Sequence, residues 1–116
     1  MQITISELDS STKKVTLTGK LDIAGAQAIE TPLAAVAGAR GNVVIDMAGV
    51  DFISSIGIRH LVIAAKAIAR GAGKLVLLAP TPMVTEVLVS TGLEQILPIV
   101  TSENDARTLF TGTSSA

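Results

Sequence analysis

Two short runs, Asn42 to Met47 (NVVIDM) and Lys74 to Ala79 (KLVLLA), are almost continuously apolar and bounded by glycine. Runs of this kind do not alternate between a core side and a water side. They suit strands buried on both faces, which require layers packed above and below the sheet. Between them lies the strongest helical pattern in the chain. Ile58, Leu61, Val62, Ala65, Ile68 and Ala69 share one face at spacings of three and four, with Arg59, Lys66 and Arg70 elsewhere and Gly71 as a stop. A buried strand, a helix and a second buried strand in succession describe a parallel crossover, so the chain is expected to fold as an α/β protein.

The remaining segments extend that frame. Ile3, Ile5 and Leu8, then Val15 and Leu17, alternate on either side of the polar stretch Asp9 to Lys14 and predict an antiparallel hairpin. Ile29, Leu33 and Val36 predict a helix ending near Gly38. Pro32 is expected to kink or restart it, with Thr31 as cap and Pro32 at the first helical position. Val84, Val87, Leu88 and Thr91 mark a helix from Thr81-Pro82 to Gly92. Ile96, Leu97, Ile99 and Val100 supply a last strand, which Pro98 pushes to the sheet edge. A final helix, Ser102 to Phe110, has Ser102 as cap and Ala106, Leu109 and Phe110 as apolar contacts. The expected architecture is one domain over residues 1–110 with a mixed sheet of about five strands and about four helices. A frayed tail is expected over 111–116.

Composition narrows the function classes. Hydrophobic residues are 48% of 116 and charged residues 16%, ample for one core and far from a disordered chain. Nine Lys plus Arg against ten Asp plus Glu leave a net charge of −1, and Phe52 and Phe110 are the only aromatics. Neither the positive field nor the stacking platforms of a nucleic-acid binder are present. The sequence has no cysteine and a single histidine, His60, so neither a disulfide nor a metal centre is expected, and no cofactor. The N-terminus MQITISELD lacks the basic and apolar regions of an export signal, and the longest apolar stretch, Leu61 to Ala69, is interrupted by Lys66. A soluble, cytoplasmic protein without membrane insertion is the expectation.

In open α/β sheets, function gathers where strands end and helices begin. The strand from Asn42 leads through Ala48 to Ile53 straight into two serines, in the stretch DFISSIGIR, Asp51 to Arg59. With GKLD at Gly19 to Asp22, NVVIDMAGVDFISSIGIRHL at Asn42 to Leu61, GKLVLLAP at Gly73 to Pro80 and VLVSTGLEQILPIVTSENDA at Val87 to Ala106, the sequence resembles the STAS domain family. Within it the likeness is to the small bacterial anti-sigma factor antagonists. The resemblance covers nearly the whole chain. It implies a switch protein rather than an enzyme: one that binds an anti-sigma factor, itself a serine kinase of the histidine-kinase-like ATPase type, and so releases a sigma factor. Phosphorylation at the start of the central helix ends that binding, and a PP2C-type phosphatase restores it. In the family's best-known pattern, D-S-S-G or D-S-T-G, the acceptor hydroxyl stands just before the glycine. Here that position is Ile56, and the resemblance implies Ser55 as acceptor, with Ser54 second.

With Ser54 as N-cap, its hydroxyl accepts from a backbone N–H near Ile56 or Gly57, and Ser55 points outward from the first turn. The alternative, which the resemblance disfavours, is that both serines only cap the helix. A phosphate on Ser55 would add about −1.5 to −2 charges, which a helix N-terminus accommodates, while an apolar docking surface around Ile56 and Ile58 would not. Gly57 either permits close approach of a partner or packs helix on sheet. Asp22 either contacts the partner near the serines or caps the helix that follows it. Arg59 either holds a phosphate or carboxylate or is a solvated charge. Asp46 and Asp51 read as a strand-end and a turn residue.

The residues disfavour two other functions, a serine hydrolase and a nucleotide-binding domain. Ser55, His60 and Asp51 have the types of a hydrolytic triad, but a serine and histidine five apart on a helix face different directions and no G-x-S-x-G elbow occurs. Gly71-Ala72-Gly73 matches neither a P-loop nor a dinucleotide fingerprint. The alternative within the resemblance is a STAS subunit of a lipid-transport ABC system or a sensory complex, with no sigma factor released.

Overall fold

The computed structural model describes residues 1–39 and 41–111. β1 (Gln2–Asp9) and β2 (Thr12–Leu21) form the hairpin. Then follow α1 (Ile23–Gly38), β3 (Asn42–Ile53), α2 (Ser55–Arg70), β4 (Leu75–Leu78), α3 (Pro82–Ser90), a 3-10 turn (Leu93–Gln95), β5 (Ile99–Val100) and α4 (Glu103–Thr111). The sheet order is β1-β2-β3-β4-β5, antiparallel between β1 and β2 and parallel thereafter. This is the mixed α/β arrangement expected from the sequence. The expected tail, beyond the backbone of Thr111, lies outside the described residues. Among the described residues no helix is long and apolar enough to cross a membrane.

The two apolar runs sit where their pattern put them, with both faces covered. Val43, Ile45, Leu75 and Leu77 pack with Ile29 and Leu33 of α1, Leu61 and Ile68 of α2 and Leu88 of α3. Their sequence neighbours Val44, Val76 and Leu78 turn to the opposite face and pack with Val100 and with Ala106 of α4. The period of two along a strand distributes one run between two cores.

Several local expectations give way to tertiary context. The hairpin turn is Ser10-Ser11 alone, because Asp9 and Thr12 already pair. The Asp9 carboxylate accepts the Ser11 N–H at 2.9 Å and its hydroxyl at 3.1 Å, and the Ser11 amide holds its carboxyl below the ordinary carboxylate range. α1 runs unbroken through Pro32, so Thr31 is not a cap and Asp22 is. A continuous α1 keeps Ile29, Leu33, Val36 and Ala37 buried on one face, which outweighs the hydrogen bond that proline removes. β3 continues to Ile53, with register shifts against β2 between Thr16 and Thr18 and between Gly19 and Lys20. Asp51 is therefore a strand residue rather than a turn residue. Asp46 lies within β3 rather than at its end, 3.7 Å from the Lys14 ammonium. β5 begins only after Pro98, at the sheet edge, and leaves Ile96 and Leu97 outside it. Leu109 is exposed, so Ala106 and Phe110 carry the contacts of α4.

Candidate functional site at the carboxyl ends of β2 and β3

β2 and β3 finish side by side, with Leu21 in register with Ile53, and each hands the chain directly to a helix. The Leu21 carbonyl accepts both the backbone N–H of Ser54, at 2.9 Å, and its hydroxyl, at 2.9 Å. The same Ser54 oxygen accepts the Gly57 N–H at 3.3 Å, and the Ser54 carbonyl starts the helix by accepting from Ile58 at 3.0 Å. Ser54 is thus the N-cap of α2, as its position predicts, and its hydroxyl proton is committed to β2. Ser55 follows at the first helical position. It is exposed, and its hydroxyl makes no hydrogen bond among the described residues.

The neighbouring helix start repeats this design. The Asp22 carboxylate accepts the Gly25 N–H at 2.8 Å and caps α1, one residue beyond Leu21. Gly25 and Gly57 are both buried for a steric reason. A side chain on Gly57 would lie 2.6 Å from Leu21 Cγ and 2.8 Å from its carbonyl oxygen, and one on Gly25 would collide with the Lys20 carbonyl. The close approach that Gly57 permits is to Leu21 of its own chain. Gly25 carried no signal in the sequence beyond its place three residues after a capping aspartate.

α3 and α4 begin in the same manner. Thr81 Oγ1 accepts from Val84 N–H at 3.4 Å and donates to the Val50 carbonyl of β3 at 3.4 Å; Ser102 Oγ accepts from Asp105 N–H at 3.1 Å. The first position of α4 is Glu103, whose carboxylate takes a hydrogen bond of 2.6 Å from Lys14. That bond pulls the Glu103 carboxyl below its ordinary range and raises the Lys14 ammonium above its own.

Of the expected site residues, Asp22, Ser54, Ser55, Ile56, Gly57, Ile58 and Arg59 all lie at this end of the sheet. Ser55, Ile56 and Arg59 are exposed, Asp22, Ser54 and Ile58 half-buried. Arg59 forms no ion pair among the described residues. The sequence reading missed exposed apolar residues here: Ile23 is 65% exposed and Phe52 43%, with Ile56 at 37%, and Met83, 58% exposed, stands at the start of α3 after β4. The available signal was an apolar residue at or next to a helix cap, where a polar one is usual. His60 does not bond Ser55; it lines a groove between α1 and α2 with Glu30, Leu33 and Ile63. Among the described residues no cluster of His, Cys, Asp or Glu is arranged to hold a metal ion.

Comparison with known proteins agrees with this geometry. The family model described as the STAS domain matches residues 4–106. BtrV of Bordetella bronchiseptica, assigned by its name to the anti-sigma factor antagonists, is 33% identical over 111 residues, 95% of either chain. An anti-sigma factor antagonist from Mycobacterium paratuberculosis superposes with a TM-score of 0.84 at 23% identity, covering 95% of this chain and 93% of that one. SpoIIAA in its unphosphorylated form gives 0.78 at 21%, covering 93% and 96%. The phosphorylated Bacillus SpoIIAA gives 0.71 at 20%, covering 93% and 99%. The chain belongs to the STAS domain family, among its anti-sigma factor antagonists.

Proposed function

We propose that this protein is a partner-switching antagonist: it binds an anti-sigma factor that is a serine kinase, frees a sigma factor, and is switched off by phosphorylation of Ser55. The observation that carries the choice of residue is the contrast between the two hydroxyls. Ser54 donates to Leu21 and accepts from Gly57, whereas the Ser55 hydroxyl is exposed and makes no hydrogen bond among the described residues. A kinase can reach Ser55 without dismantling a cap. The phosphorylated SpoIIAA, which shares the fold, supports a covalent switch in such a domain.

The apolar surface around Ser55 accounts for the effect of the modification. Ile56, with Ile23, Phe52 and Met83, offers exposed hydrophobic area for docking, and Asp22 and Arg59 offer charges beside it. A dianion among those side chains opposes burial by desolvation and by repulsion of acidic partner groups. The helix N-terminus meanwhile satisfies the phosphate, so binding ends without refolding. The task is binding rather than catalysis, in the cytoplasm, with a PP2C-type phosphatase as the reset. Among the described residues no hydrogen bond joins Ser55 to a base that would make it a nucleophile.

Phosphosite mapping after incubation with ATP and the cognate anti-sigma kinase tests the assignment. Wild type and Ser54→Ala should be modified at residue 55 and Ser55→Ala should remain unmodified; full modification of Ser55→Ala would sink the choice. Ser55→Asp should fold normally and bind the kinase at least roughly tenfold more weakly, about 1.4 kcal/mol. Affinity equal to wild type would remove exclusion as the mechanism. Recovery of an ABC ATPase in place of a kinase on co-purification would overturn the pathway.

A further inference from the structure

The two edges of the sheet are unequal. β5 closes one side with two residues, whereas β1 closes the other with eight and pairs within the sheet on β2 alone. An open edge offers a row of N–H and C=O groups to any strand that can lie along it, and proteins ordinarily blunt such edges with lysine, proline, bulges or brevity. β1 has these devices only at its far end. Its register shifts between Glu7 and Asp9, and those two residues are its only charges. The segment Gln2 to Ser6 has no charge, proline or glycine, and Ile3, Thr4 and Ile5 are β-branched. Ile5 stands opposite Val15, which is fully buried, yet is itself 43% exposed.

We propose that Gln2 to Ser6 is a self-association edge, which pairs antiparallel with the same segment of a second copy about a two-fold axis at Thr4. In that register each Ile3 faces the partner's Ile5 on the core side of the sheet, and each Gln2 faces the partner's Ser6. Glu7 and Asp9 fall beyond the paired segment. Two competing arrangements are opposed by charge: an axis at Glu7 sets carboxylate against carboxylate, and parallel in-register stacking does so at both acids. The same segment is therefore its own complement, with Ile3–Ile5 pairs on one face and the polar Thr4–Thr4 and Gln2–Ser6 pairs on the other. Head-to-tail growth is blocked, because β5 offers a β1 edge only two residues, so association closes at a dimer. A contact this short lies well below the area of a standard interface, and the dimer is accordingly weak. The edge includes neither Ser54 nor Ser55 nor the strand ends around them, so it stands or falls independently of the switching function.

Sedimentation velocity on the full chain from micromolar to millimolar concentration tests the proposal, paired with amide hydrogen exchange at both extremes. The expected result is a shift toward dimer at the upper end, with added protection confined to Gln2–Ser6. Ile5→Lys, and separately Thr4→Lys on the opposite face, should each weaken dimerisation by roughly tenfold or more with unchanged circular dichroism. A chain that stays monomeric at millimolar concentration overturns the proposal. So does a dimer indifferent to both lysines, or protection gained elsewhere.

Discussion

The starts of α1 and α2 are near copies that differ in the residue following each cap. Each follows a strand end directly. Each is capped by a side chain that accepts the N–H of a glycine three residues on, Asp22 from Gly25 and Ser54 from Gly57. Each glycine is packed against the end of β2. At the first helical position, however, α1 has Ile23 and α2 has Ser55. The fold evidently builds this junction with an apolar residue there, so it does not require the Ser55 hydroxyl. The proposed switch is assigned to this hydroxyl, exposed beside one that the fold uses.

The comparison breaks most severely at the glycines. Gly25→Ala sets a methyl against a backbone carbonyl that cannot move without unpairing β2, and should cost about 3 kcal/mol despite the helix preference for alanine. Gly57→Ala meets a leucine side chain as well as a carbonyl, and the side chain can shift, so about 1–2 kcal/mol is expected. Urea unfolding of the two variants gives the order, and a Gly57→Ala loss larger than that of Gly25→Ala would contradict the steric reading. The caps come next: Asp22→Ala and Ser54→Ala should each cost about 1 kcal/mol. Ser54→Ala should be the more damaging, since its hydroxyl also ties α2 to the Leu21 carbonyl.

The glycines and caps also mark the limit of what sequence alone conveys. The buried strands Val43–Ile45 and Leu75–Leu78, the caps Ser54 and Ser102 and the α2 face were legible, because period, apolar runs and capping residues are local signals. The length of β3 was not. Its extension to Ile53 depends on bulges against β2, which are set by pairing rather than by the residues themselves. Pro32 misled for a similar reason: the local cost of a proline is readable, but the packing of Leu33 and Val36 that overrides it is not. At the site, Ser54 and Ser55 could be ordered by cap logic. Ile23 and Met83 joined them only once the strand ends were placed together.

A third helix start sharpens the comparison at smaller amplitude. α4 has Glu103 at its first position, held by Lys14 at 2.6 Å. The Glu103 carboxyl is depressed, so its contribution is present above its unfolded value and lost as pH falls through the folded one. The Lys14 ammonium is raised, so its contribution is present below its unfolded value and lost as pH rises through the folded one. Glu103 is 40% exposed, and solvent screening limits the pair to under about 1 kcal/mol. Glu103→Gln should therefore lower stability slightly at neutral pH and flatten the acid limb of the stability profile. An unchanged acid limb would assign that limb to other carboxylates.

The smallest effect on stability belongs to Ser55, and its smallness is the point. Its hydroxyl is exposed and has no hydrogen bond among the described residues, and alanine is the better helix former, so Ser55→Ala should stay within about 0.5 kcal/mol of wild type. Thermal melts of Ser54→Ala and Ser55→Ala side by side measure the asymmetry. The first should melt lower, and the second at or slightly above wild type. If the two fell equally, Ser55 would be a structural cap like its neighbour, and the surplus hydroxyl on which the switch is argued would not exist. If only Ser54→Ala falls, the same Ser55→Ala protein, folded and intact, becomes the clean instrument for switching. Any loss of phosphorylation or gain in kinase affinity in the presence of ATP then reports chemistry at that hydroxyl and not damage to the helix beneath it.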